Sequence, residues 1–156
     1  MKEILCIIAF MLLNGCSFLE SNETEDDGRY KYSFKKQIAQ GKIDGENWMF
    51  NAGRGKNSGN ELFIELFEVS PKGDTCSSSG FSDSKKRVTF YVSKTPGVYE
   101  LGFSKQVSFT GNKITSLGAI ELIKFDTTAN IITGRVDGYC DANTTVNGTF
   151  TVKYCD

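Results

Sequence analysis

The chain of 156 residues contains no histidine, one tryptophan and two prolines. Without histidine there is no Ser–His or Cys–His pair, so these nucleophile–base arrangements are excluded. The chain also lacks a Cys-x-x-Cys motif, and together these absences predict that there is no metal site. No apolar run approaches the roughly 20 residues that a membrane-spanning helix needs. We therefore expect no catalytic residues, no metal and no cofactor.

The longest apolar run, from Ile4 to Leu13, follows a positive charge at Lys2 and has the length of a signal-peptide core. It leads into Leu13-Asn14-Gly15-Cys16, which resembles the lipobox of bacterial lipoproteins. The resemblance implies that residues 1–15 are a signal peptide, that Cys16 receives a diacylglyceryl group after export, and that its new amine takes a further chain such as palmitate. Two or more acyl chains hold a protein stably to a membrane.

Residues 16–29 form an acidic segment that contains five carboxylates and a single basic residue, Arg29. Such a segment cannot bury enough apolar surface to fold, so we interpret it as a disordered tether. In the simplest interpretation, this segment is a solvated spacer between the membrane and the domain. Acidic residues after a lipidated cysteine also resemble the surface-export signals of Bacteroidetes lipoproteins, and this resemblance implies an outer-membrane protein exposed on the cell surface.

The remaining residues, 30–156, form a single domain of ordinary size. Removing Lys2, Arg29 and the six earlier carboxylates from the 18 basic and 19 acidic residues leaves 16 basic and 13 acidic residues in this body. The resulting charge of about +3 is small and scattered along the chain, so we expect no nucleic-acid partner.

Apolar residues of the body alternate with period two, and β-branched and aromatic residues are frequent. Leu62, Ile64 and Leu66 show the pattern, with Phe63 and Phe67 on the other face. No stretch has the period of a helix. The pattern predicts an all-β domain of about eight to ten strands, arranged as an antiparallel two-sheet sandwich. The alternative is a closed antiparallel barrel.

The last two strands allow two registers. Asn147-Gly148 is a strong two-residue turn signal, but a turn there would pair apolar residues with polar ones. A longer loop over residues 141–145 instead places Phe150 opposite Val136 and Val152 opposite Gly134. Because register follows the hydrophobic pattern, we favour the longer loop, which leaves Gly148 inside the last strand as a bulge or kink.

Three cysteines, Cys76, Cys140 and Cys155, lie in the body, and an exported domain can keep a disulfide. In the favoured register Cys140 and Cys155 lie far apart, which favours a Cys76–Cys155 bridge. The other register places Cys140 opposite Cys155, so that pairing stays open, as does a domain without any bridge.

Several short motifs carry a family resemblance: Gly41-Lys42-Ile43-Asp44-Gly45 followed by Trp48, Cys76-Ser77, Gly97-Val98-Tyr99-Glu100-Leu101, and Val146 to Val152 followed by Cys155. In this order they resemble a group of uncharacterised small lipoproteins of Bacteroidetes. The resemblance implies a β-rich fold and a bridge between Cys76 and Cys155. It implies no activity, and Cys140 departs from the pattern.

Four kinds of residue are candidates for a function. The carboxylates Glu61, Glu65, Glu68 and Glu121 fall on predicted strands, where we expect outward, solvated positions rather than a catalytic pair. Trp48 is expected in the core rather than as a sugar-stacking platform. Tyr91, Tyr99 and Tyr139 are expected on outward faces. Asp126-Thr127-Thr128 resembles the O-glycosylation motif of Bacteroidetes, which makes Thr127 a candidate acceptor.

These patterns favour a lipid-anchored protein of the cell envelope that is not an enzyme. Its expected role is a binding or accessory domain whose ligand is a glycan or another envelope protein. A structural or surface-coat role is the alternative, and an enzyme is the third. Aromatic side chains grouped on one sheet face would favour the first role, and an unpaired edge strand would favour the second.

Overall fold

A computed structural model of the chain describes residues 30–70, 72–77, 86–110 and 112–155. The predicted signal peptide, the predicted lipidation site Cys16 and the predicted tether lie outside the described residues. Within them the chain is all-β, as predicted, and has eleven strands: β1 Gln40–Ile43, β2 Glu46–Met49, β3 Ala52–Ser58, β4 Glu61–Phe67, β5 Arg87–Ser93, β6 Gly97–Glu100, β7 Val107–Phe109, β8 Lys113–Thr115, β9 Gly118–Asp126, β10 Ile131–Asp141 and β11 Thr144–Cys155.

The strands form one curled, open sheet in the order β6-β9-β10-β11-β3-β4-β5-β7-β8, with β1 attached to β11 and β2 to β1. The predicted division into two sheets is not confirmed, since every described strand belongs to this one hydrogen-bonded network. Nor do the described residues form a closed barrel, because β6 and β8 stand at opposite ends of the order. Alternation shows which face of a strand is buried, but a curled sheet and a sandwich produce the same alternation.

The last strand, β11, is the junction of the sheet. One edge of β11 pairs with β10 along most of its length. Its other edge pairs antiparallel with β1 near Asn147 and parallel with β3 near Lys153. The N-terminal and C-terminal parts of the body are therefore joined through the final strand.

The observed register of the β10–β11 hairpin differs from both registers considered from the sequence. Gly134 pairs with Phe150 and Val136 with Gly148, which is two residues away from the favoured register. The chain turns within two residues, 142 and 143, because a register irregularity between Tyr139 and Asp141 absorbs the extra residue. Since side chains alternate with period two, a shift of two residues keeps the same faces buried. Gly148 lies inside β11, as expected, with φ 139°.

The core lies on the inner face of the curl. Phe90 of β5 and Phe150 of β11 are buried and meet edge to face with ring centroids 5.6 Å apart, although two strands separate β5 from β11 in the sheet. The sheet must therefore fold back on itself to bring them together. Gly134 leaves room for the Phe150 ring, because a Cβ atom at residue 134 would lie 2.5 Å from Phe150 Cζ.

Residues 30–38, called here the N-terminal strap, run across the outside of β10 and along β11. Tyr30 donates its hydroxyl proton to Asp137 Oδ1 at 3.2 Å, and the Ser33 amide donates to Asp137 Oδ2 at 2.8 Å. Further along, the Thr149 amide donates to the Gln37 carbonyl at 2.7 Å. The body is thus held firmly from its first described residue, Tyr30.

Candidate functional site

The outer face of β3, β4 and β5 carries a grouping of aromatic and charged side chains. It arises from alternation, because the inward positions of β4 are filled by apolar residues and the positions between them point outward. The strand register then sets these outward residues in two rows across the sheet: Lys56, Phe63 and Tyr91 in one, and Arg54, Glu65 and Thr89 in the other.

An ion pair lies buried in the second row. Arg54 Nε is 2.7 Å from Glu65 Oε2, and each side chain is only 7% exposed. The guanidinium also donates from Nη1 to the Ser77 carbonyl at 2.6 Å. The expectation that Glu65 is solvated was therefore wrong. Glu65 faces outward, but residues 72–77 fold back over this part of the outer face. We call these residues the Cys76 segment. Arg54 contacts both this segment, at the Ser77 carbonyl, and Glu65.

A disulfide between Cys76 and Cys155 holds the Cys76 segment against the end of β11, with the two Cα atoms 5.4 Å apart. This confirms the predicted bridge and excludes a Cys140–Cys155 pairing. Cys140 is 1% exposed on the inner face of β10. The same segment is fixed by Asp74, whose pKa is lowered because the Cys76 amide donates to its carboxylate and the Lys153 ammonium lies 3.2 Å away.

Phe63 and Tyr91 form an exposed aromatic pair in the first row. Their ring centroids are 4.9 Å apart, with an interplanar angle of 37°. Tyr91 is 46% exposed, and Phe63 is half-buried beside it. The pair offers an apolar, nearly continuous surface to solvent, flanked by ionic side chains. We call Phe63, Tyr91 and their neighbours Lys56, Thr89 and Arg87 the aromatic platform.

The charge around the platform is positive. Glu65 is the common partner of three cations, because Lys56 Nζ lies 3.5 Å and Arg87 Nη1 4.0 Å from its carboxylate, in addition to Arg54. Arg54 alone neutralises Glu65. The side chains of Lys56 and Arg87 are 41% and 58% exposed, so both present charge to solvent.

A cavity of about 380 Å³ continues the platform across β5, β7 and β8, within the usual size range of small-ligand pockets. It is lined by Arg87, Thr89, Ser108, Phe109, Thr110, Asn112 and Ile114. Hydroxyl groups and one guanidinium dominate its polar lining. A larger cleft of about 620 Å³ lies against β1 and β2, but the indole of Trp48 beside it is only 2% exposed and belongs to the core, as predicted.

The other predicted residues are dispersed. Tyr99 donates its hydroxyl proton to the Thr95 carbonyl at 2.5 Å, and Tyr139 stacks on Tyr30 of the N-terminal strap with centroids 5.9 Å apart. Both are half-buried and neither joins Tyr91. Tyr99 packs against the core, so its expected outward position was wrong. Thr127 is exposed in the turn between β9 and β10, and its glycosylation stays a prediction. Phe63 was missed as a candidate binding residue because its pairing with Tyr91 follows only from the β4–β5 register.

Among the described residues, no three Cys, Asp or Glu side chains lie close enough together to hold a metal ion. In the part of the chain that the structure describes, no helix is long and apolar enough to cross a membrane. Comparison with protein-family models, curated proteins and solved structures found no match to this chain.

Proposed function

We propose that this protein is an outer-membrane lipoprotein whose β domain is a non-catalytic binding module, with the aromatic platform as its binding surface. The observation that carries the proposal is the exposed pair of Phe63 and Tyr91, set among charged side chains on one sheet face. Exposed aromatic rings grouped with polar groups are typical of ligand-binding surfaces. The resemblance of residues 13–16 to a lipobox supports the lipid anchor and the location in the cell envelope.

A glycan is the ligand class that fits the platform best. The faces of a sugar ring that carry C–H groups are apolar and stack on aromatic rings, while its hydroxyls need hydrogen-bonding partners. The platform supplies Phe63 and Tyr91 for stacking and Thr89 for hydrogen bonding, and the neighbouring cavity adds Ser108. An envelope protein is the second ligand class proposed, since aromatic and arginine side chains are also enriched at protein interfaces.

Replacing Tyr91 with Ala is expected to weaken glycan binding by about tenfold or more, because it removes the stacking surface. Binding is measured by affinity gel electrophoresis with laminarin, xylan, dextran and polygalacturonate in separate gels. Phe63→Ala should weaken binding in the same gels.

Phe103→Ala is the matched control, because Phe103 is fully exposed in the turn after β6 and lies outside the platform. The fluorescence of Trp48 and circular dichroism establish that each variant is folded. Retardation that survives in both platform variants, or that disappears equally in Phe103→Ala, would rule out the platform as the binding surface.

Cys16→Ala is expected to abolish labelling of the expressed protein by radioactive palmitate and to leave an uncleaved or soluble product, because the thiol is the acceptor for lipid. Labelling is compared with a Cys6→Ala variant, which alters a cysteine inside the signal peptide and should still be labelled. Equal labelling of the Cys16→Ala variant would disprove the lipid anchor.

A surface-coat role is the second candidate, favoured by the open edges of the sheet. In the described residues β6 and β8 end the strand order, so each has one edge without a paired strand. Such an edge can accept a strand from another chain. These strands have only four and three residues, however, and short edge strands are a common means of preventing edge-to-edge pairing. We therefore prefer the binding role.

A further inference from the structure

We infer that the aromatic platform selects an anionic polysaccharide, one that carries carboxylate or sulfate groups, over a neutral one. The inference rests on the proposed binding function and names its ligand class. Its starting point is the surplus of positive charge around Glu65, where three cations share one carboxylate. In a chain with a net charge of −1, this local surplus reflects the placement of residues rather than composition.

The three cations differ in what they can offer a ligand. Arg54 is buried and donates hydrogen bonds to Glu65 and to the Ser77 carbonyl. It therefore stabilises the fold and does not contact a ligand. Lys56 and Arg87 lie farther from Glu65 and are largely exposed. Because Arg54 already balances the Glu65 charge, an anion that approaches Lys56 or Arg87 meets a net attraction.

The positions of these two cations suit an extended ligand. Lys56 stands in the same row as Phe63 and Tyr91, so a sugar stacked on the aromatic pair has this ammonium at its side. Arg87 lies on β5 four residues before Tyr91 and on the same face, about 13 Å away at the usual rise of a strand. A chain of two or more sugar units can therefore reach from the stacking surface to the guanidinium.

The cavity beside Arg87 completes the proposed path. Its lining combines the Arg87 guanidinium with hydroxyls of Thr89 and Ser108. Guanidinium groups bind carboxylates and sulfates through paired hydrogen bonds, and hydroxyls suit the remaining oxygens of a sugar. Neutral polysaccharides would stack on Phe63 and Tyr91 but would offer neither cation an anionic group.

The test uses two pairs of polymers that differ in charge: polygalacturonate against its fully methyl-esterified form, and dextran sulfate against dextran. Affinities are measured by isothermal titration calorimetry with the domain. We expect at least one acidic polymer to bind about tenfold more tightly than its neutral partner, with a preference that weakens as salt is raised. The first pair reports on carboxylate and the second on sulfate.

The Lys56→Gln/Arg87→Gln double variant should lose this preference while keeping any binding that depends on Tyr91. Lys124→Gln is the matched control, because it removes one exposed cation on β9, four strands or about 19 Å from β4 along the sheet. Trp48 fluorescence during urea unfolding verifies that each variant is folded. The control should keep the full preference.

The possible outcomes separate this inference from the proposed function. Equal binding of neutral and acidic polymers, lost in Tyr91→Ala, would overturn the charge inference and leave the platform intact. If none of the four polymers binds, both the charge inference and the proposed glycan-binding function are overturned. Binding of the acidic polymers and of single-stranded DNA alike, without dependence on Tyr91, would show unspecific attraction and overturn the inference.

Discussion

Replacing Glu65 with Gln is expected to destabilise the domain by about 3 to 5 kcal/mol, because it removes one partner of a buried ion pair and leaves the Arg54 charge uncompensated. The effect is measured as the change in the free energy of unfolding in urea, followed by Trp48 fluorescence. The carboxamide keeps the shape of the side chain, so the loss reports on charge rather than on packing.

Glu61→Gln is the control for this measurement. Glu61 lies on the same strand and pairs with Lys105 at 2.7 Å, but its side chain is 40% exposed. Exposed pairs contribute about 0 to 1 kcal/mol, so the Glu61 variant should be nearly as stable as the native protein. Similar losses in the two variants would show that Glu65 is not buried in the way described.

Removal of the Cys76–Cys155 bridge is expected to cost about 4 kcal/mol, since the bridge closes a loop with a sequence separation of 79 residues and such loops restrict the unfolded chain strongly. The measurement is the urea unfolding of Cys76→Ala/Cys155→Ala. The native protein in excess dithiothreitol should unfold at a similar urea concentration. A variant as stable as the oxidised native protein would contradict the expectation.

These two effects should not be additive. The Cys76 segment shares Arg54 with Glu65 and is held at its other side by the disulfide. Once the bridge is removed, the segment can leave the outer face and water can reach the ion pair. Combining Glu65→Gln with the loss of the bridge should therefore cost less than the sum of the separate losses, by about 0.5 to 3 kcal/mol in a double-mutant cycle.

The sequence was sufficient for the class of the fold and for the inner faces of several strands, although Tyr99, expected on an outward face, packs against the core. The alternation of Leu62, Ile64 and Leu66 correctly identified the inner face of β4. It could not set the β10–β11 register, because registers two residues apart bury the same side chains. Nor could it distinguish one curled sheet from two, since this depends on long-range pairings such as that of β11 with β3.

The candidate site was only partly predictable, for a related reason. Tyr91 was expected on an outward face, but its neighbour Phe63 lies on a strand separated from it by a long polar loop, and only the β4–β5 pairing brings them together. The burial of Glu65 depends on the Cys76 segment, whose path over the outer face follows from tertiary contacts. Local patterns contain no information about either contact.

The junction at β11 also has a consequence for when the domain can fold. Contacts there join distant parts of the chain, as where the Lys35 amide donates to Asn147 Oδ1 across a sequence separation of 112 residues. Proteins dominated by such non-local contacts fold slowly, because the entropy of closing large loops must be lost before the contacts form. Because β1, β3 and β10 all pair with β11, the sheet cannot be completed before β11 has been synthesised.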